Sequence, residues 1–176
     1  MVVLVGYSSK YGATEGIAER IARKLREAGR DAEAKPVSVV ENPDRYTAFV
    51  IGSAAYMGSW RKDAVDFVRG NLELLTSRPL WLFSSGPLGT ATRNAEGQEL
   101  IIEAEPKQFD EFVTALEPQG TKVFFGALDP AALRRRDRLV RMIPAGRELL
   151  PEGDFRDWVA IDAWAASIAA ELPATA

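Results

Sequence analysis

The chain has 176 residues, 47% hydrophobic and 27% charged, and its 22 basic and 25 acidic side chains leave a formal charge of -3. That length suits one domain with a buried core, expected over 1–172 with 173–176 as a flexible tail, and the near-neutral balance speaks against general nucleic-acid binding. Without a cysteine or histidine, the chain is excluded from thiolate catalysis, disulfides, iron–sulfur ligation, imidazole acid–base chemistry and any Ser-His-Asp triad, so demanding chemistry would come from a bound cofactor.

Val2-Val3-Leu4-Val5 is a continuous aliphatic run, the pattern of a strand buried on both faces of a parallel sheet. The apolar stretch ending at Gly6 is only six residues long and has no basic leader. It reads as neither a membrane span nor an export signal, so a cytoplasmic location is expected and any membrane contact would be peripheral. From Thr14 the pattern turns helical: Ile17, Ile21 and Leu25 recur every four residues with Glu19, Arg20, Arg23 and Lys24 on the wet face, and Gly29 ends the helix. Ala32 to Val37 predicts a second strand, which Pro36 assigns to an edge. Ala48 to Ile51 predicts the third, Trp60 to Leu75 a second amphipathic helix, and Pro79 to Phe83 the fourth strand. Thr92 to Gly97 reads as open loop, and Leu100 to Ile102 suits either a strand start or a helix. Phe109 to Leu116 predicts a short helix, Val123 to Phe125 the fifth strand, Ala131 to Ile143 a basic helix, and Phe155 to Leu172 a final helix capped by Asp154 or a neighbour.

Strands alternating with crossover helices predict an α/β fold with an open parallel sheet. The strand ends carry small and hydroxyl-bearing residues, namely Ser8-Ser9, Gly52-Ser53, Ser84-Ser85-Gly86 and Gly126. In open α/β sheets ligands bind at these carboxyl ends. The turn after the first strand adds Gly12 and Thr14. A helix start with free N–H groups, flanking hydroxyls and a glycine suits a phosphate, although the same residues also suit a plain helix cap and tight turn. Ala13-Thr14 after Gly12 lacks the Lys-Ser/Thr pair of a nucleoside-triphosphate loop, and the glycine spacing is not that of a dinucleotide fingerprint.

Ser9-Lys10-Tyr11-Gly12-Ala13-Thr14-Glu15 resembles the FMN-phosphate loop of flavodoxins, departing at Ala13, where many members have asparagine, and at Lys10 and Tyr11, where small hydroxyl residues are common. Ser53-Ala54-Ala55-Tyr56-Met57-Gly58 matches the second flavin loop in position, and Ser84-Ser85-Gly86-Pro87-Leu88-Gly89 the third. The resemblance implies a three-layer flavodoxin-like fold with an open five-stranded sheet in the order 2-1-3-4-5, FMN as cofactor, and Tyr56 as the aromatic over the ring, with Trp60 as the second choice. Over almost the whole chain, including Phe124 to Asp129 and Gly153 to Trp158, the similarity is closer to the small menaquinone-dependent protoporphyrinogen dehydrogenases. That implies a porphyrinogen substrate and a quinone acceptor, or otherwise a redox-protein partner.

No charged residue lies between Gly52 and Trp60 or between Ser84 and Thr92. Carboxylates near a flavin would disfavour its anionic reduced form, and the shuttles of the family are acidic, so neutral loops favour an enzyme over an electron carrier. Tyr56, Met57, Trp60, Pro87 and Leu88 could face an apolar substrate, or Met57 and Trp60 could simply pack the next helix. The stretch with Arg134, Arg135, Arg136, Arg138 and Arg141 suits an anionic membrane surface, the propionates of a porphyrin, or a plain solvated face. The alternatives to a protoporphyrinogen oxidase are a non-enzymatic carrier, an FMN-dependent quinone reductase and a module that has lost FMN. No catalytic residue and no metal site are assigned.

Overall fold

The structure, a computed structural model, describes residues 2–91 and 99–173. Five parallel strands, β1 (Val2–Ser8), β2 (Asp31–Pro36), β3 (Ala48–Tyr56), β5 (Leu80–Ser85) and β6 (Gly120–Phe124), lie in the order β2-β1-β3-β5-β6. Counting these alone, the order is the expected 2-1-3-4-5. The two-residue β4 (Ser59–Trp60) folds back antiparallel onto β3. Pro36 closes the edge strand β2, where a missing N–H leaves no ladder bond unmade.

The aliphatic run of β1 is continuous because both of its faces are covered. Val3 and Val5 pack with Ile17, Ile21 and Leu25 of α1 (Ala13–Glu27) and Ile161, Ala165 and Ile168 of α8 (Trp158–Glu171), whereas Leu4 points into the opposite layer. That second layer is built by α2 (Lys62–Gly70), α3 (Leu72–Thr76) and α5 (Gln108–Leu116), through Val65, Val68, Leu75, Phe109 and Phe112. In β3, Gly52 pairs with Phe83 of β5. A Cβ at Gly52 would lie 2.0 Å from the Phe83 ring, so only glycine lets that ring cross the sheet toward Phe124 and Trp164.

Three helical expectations are corrected. The helix predicted over Trp60 to Leu75 starts at Lys62 and breaks at Asn71. Trp60 is held in β4, and the Asn71 amide donates to the Phe67 carbonyl at 2.7 Å, a side-chain bond that competes with the helical ladder. The basic stretch is not one helix. It comprises a 3-10 turn at Pro130–Ala132, α6 (Arg135–Val140) and α7 (Pro144–Leu149). Pro144, one residue beyond the predicted stretch, fits the first turn of α7. The last helix starts at Trp158 and is capped by Asp157, not Asp154, through the Ala160 N–H at 3.0 Å. Asp154 instead belongs to β8 (Gly153–Asp154), paired with β7 (Ala127–Leu128). Leu100–Glu103 forms the short helix α4. The loop expected over 92–97 and tail positions 174–176 lie outside the described residues.

Candidate functional site

Parallel pairing brings the carboxyl ends of β1, β3, β5 and β6 to one edge beside the start of α1. Gly12 takes a left-handed φ of 86° as the N-cap of α1, and no side chain among the described residues caps the helix. The Ser9 hydroxyl is directed into its own loop, accepting the Gly12 N–H at 3.0 Å. Thr14, in the first turn, is fully buried, and its Oγ1 has no hydrogen-bond partner among the described residues. A buried hydroxyl left unpaired is costly, and here it sits where an anion would meet the open helix start.

The strand ends enclose a solvent-open cavity of about 130 Å³. From the first loop it is lined by Ser9, Lys10, Tyr11, Ala13 and Thr14, from the second by Ala54, Ala55 and Tyr56, and from the third by Ser85, Gly86 and Leu88. Of the remaining residues expected at this site, Gly12, Ser53, Met57, Gly58, Ser84, Pro87 and Gly89 do not line it. Ser53 is buried behind the wall, where its Oγ accepts the Arg61 N–H at 3.1 Å and donates to the Ala54 carbonyl. Ser84 is buried too, one residue out of phase with the lining Ser85. Met57, with φ 52°, is 98% exposed at the tip of the turn, so it packs nothing. Pro87 supports the site by its backbone, its carbonyl accepting the Gly126 N–H at 2.9 Å. Trp60 is not available as a ring platform. It is buried edge-on against Phe109, with centroids 5.5 Å apart. Tyr56, by contrast, is half-exposed on the lining.

Sequence reasoning missed the far wall of Ala127, Leu128, Leu133, Asp137 and Leu150. Asp137 reaches back across 127 positions, its Oδ2 accepting from Lys10 Nζ at 2.7 Å and from the Tyr11 hydroxyl. Local periodicity carries no signal for such a pair. Lys10 Nζ also lies 5.4 Å from the Tyr56 ring centroid. Among the described residues the one cation and one carboxylate on the lining thus neutralise each other, and the rest is apolar or hydroxyl-bearing. Partial burial raises the Tyr56 phenol pKa, which keeps it a neutral donor.

The hydrogen bond from Lys10 holds the Asp137 carboxyl below its ordinary pKa, and the same bond raises that of Lys10. The lowered carboxyl contributes stability above the usual carboxylate range and loses it as pH falls through the folded value. The raised ammonium contributes below its usual range and loses it as pH rises through the folded value. Asp137→Asn should therefore lower stability by less than about 1 kcal/mol, as suits a partly exposed pair. The deficit should be constant from about pH 5 to about pH 9 and vanish in strong acid. Thermal unfolding of both proteins across pH checks this, and a deficit that varies within that plateau contradicts it.

A family profile described as the flavodoxin domain matches residues 4–147. Among curated proteins, the protoporphyrinogen IX dehydrogenase (quinone) of Escherichia coli strain K12 is 25% identical over 176 residues, covering 96% of this chain and 95% of its own. Among solved structures, a mutant flavodoxin from Pseudomonas aeruginosa superposes with a TM-score of 0.60 at 15% identity, covering 97% of each chain. Oxidised flavodoxin 2 from Bacillus cereus gives 0.56 at 19% identity, covering 97% of this chain and 99% of that one. At such identities the structural likeness bears on the fold.

Proposed function

The chain belongs to the flavodoxin-domain family, and from that premise we propose that it holds FMN at these strand ends and oxidises protoporphyrinogen IX with a quinone as acceptor. The observation that carries the FMN reading is the unpartnered, buried Thr14 Oγ1 at the uncapped start of α1. The residues present fit the group. Thr14 and the backbone from Gly12 to Glu15 would hold the phosphate, and Ala54, Ala55, Tyr56, Ser85, Gly86 and Leu88 would flank the ring. When bound, FMN supplies the acceptance and return of hydride equivalents or electrons. The chain's own part is binding, orientation and exclusion of water. The cavity of about 130 Å³ is smaller than the usual ligand cleft of roughly 300–1,000 Å³. Ring entry therefore displaces side chains at the mouth, of which Lys10 and Tyr11, bound to Asp137, are the most readily moved.

The substrate proposal rests on two further points: the lining is neutral and largely apolar, and the Escherichia coli relative carries the corresponding name. Neutral loops offer no acidic face for docking a redox protein. With no histidine, proton transfer from the substrate falls to water, to the substrate itself or to a tyrosine, lysine or carboxylate. Purified protein loaded with FMN should turn over protoporphyrinogen IX in the presence of a menaquinone analogue, with porphyrin fluorescence as the readout. Loaded protein that passes single electrons to a redox partner but produces no porphyrin would make it a carrier. Turnover of quinone with reduced nicotinamide alone would make it a quinone reductase.

A further inference from the structure

The segment after β7 carries a feature that the cavity does not use. Leu139, Val140, Met142 and Ile143 are 64, 42, 70 and 58% exposed. Single exposed apolar side chains are ordinary, but four within five residues form a patch. Arg134, Arg135, Arg136, Arg138 and Arg147 are exposed around it, and between 134 and 147 the only acid is Asp137, which is engaged by Lys10 and Tyr11. Within the patch Pro130, Leu133, Arg138, Arg141, Met142 and Arg147 line a hollow of about 330 Å³. The Arg141 Nε is buried there with no hydrogen-bond partner among the described residues, although its Nη2 lies 3.5 Å from Glu152. Arg138 and Arg147 each donate one N–H to a backbone carbonyl, those of Ala131 and Arg141.

We propose that this face docks on an anionic lipid surface, with a lipid phosphate in the arginine-lined hollow and Leu139, Met142 and Ile143 dipping among the acyl chains. The charge is complementary, and apolar tips ringed by arginines match the division of a bilayer interface into hydrocarbon and anionic headgroups. A porphyrin propionate would use the arginines but leave four apolar side chains in water. Leu133 lines both this hollow and the strand-end cavity, so docking brings the cavity to the lipid surface, where an apolar quinone partitions. The surface itself needs neither FMN nor a porphyrinogen. Binding to lipid without turnover would leave it standing and remove only the proposed substrate.

The test is co-sedimentation of the full chain with phosphatidylcholine vesicles made with and without phosphatidylglycerol. Binding is expected only with phosphatidylglycerol and should fall as salt is raised. Each arginine near the surface accounts for about fivefold in affinity, so Arg135→Gln with Arg136→Gln should weaken binding roughly 25-fold. Met142→Glu with Ile143→Glu should weaken it further at an unchanged melting temperature, since both side chains are exposed. No binding at low salt, equal binding to both vesicles, or binding that neither double variant alters would overturn the proposal. So would self-association abolished by Met142→Glu with Ile143→Glu, which would assign the patch to a second copy of the chain.

Discussion

Thr14→Val is expected to produce a protein that is more stable than the parent without FMN and a markedly weaker binder of it. Valine keeps the shape and the β-branch of threonine but removes Oγ1, which is buried without a partner. An unsatisfied buried hydroxyl costs about 1–3 kcal/mol, and the variant escapes that penalty. For a chain of this size each kcal/mol shifts the melting temperature by about 2–4 °C, so the FMN-free variant should melt a few degrees higher. A hydrogen bond to a charged group contributes about 1.5–3 kcal/mol, so FMN affinity should fall between about tenfold and a hundredfold. Saturating FMN should then reverse the order of melting temperatures, because a ligand stabilises in proportion to how far it exceeds its Kd. Thermal unfolding of both proteins with and without FMN measures both halves. A variant that is less stable without FMN and binds it equally well would show that the hydroxyl serves the fold.

The same residue shows why part of the site was legible beforehand. A strand buried on both faces must be apolar throughout, so β1 and the β3 core are visible as runs, and α1 as a four-residue repeat. Parallel topology then brings the carboxyl ends to one edge, so the three loops carrying Ser9, Tyr56 and Ser85 could be named in advance. Which side chain of a loop faces inward is less visible. A β-strand alternates its faces, and a one-residue phase difference separates the lining Ser85 from the buried Ser84. Trp60 was a candidate platform in the sequence, but the core between α2 and α5 takes it. The basic stretch appeared as one helix because arginine has a good helical propensity, yet only Arg135–Val140 of it is α-helical. Least visible was Asp137, whose partners lie more than 120 positions away and are fixed by the completed fold alone.

Of the exposed apolar patch the sequence showed the basic stretch, suited to an anionic surface among other readings, but not the exposure of its apolar side chains. Leu139, Val140, Met142 and Ile143 appear as one face of a helix on paper, and an amphipathic helix ordinarily turns such a face inward. The helix ends at Val140, and these side chains stand in solvent beside the arginines instead. A local break in a helix thus converts a core pattern into a surface.

FMN binding depends on a phosphate cradle at the start of α1. Comparing FMN with riboflavin isolates it, because the two carry the same ring and differ by the phosphate alone. Two or more charge-assisted hydrogen bonds from the Gly12 to Glu15 backbone and Thr14 should favour FMN by at least about a hundredfold. Quenching of flavin fluorescence on titration with the purified, flavin-free protein gives both dissociation constants. Tight FMN binding with weak or undetectable riboflavin binding is the predicted result. Equal affinities, or no quenching of FMN at all, would contradict it.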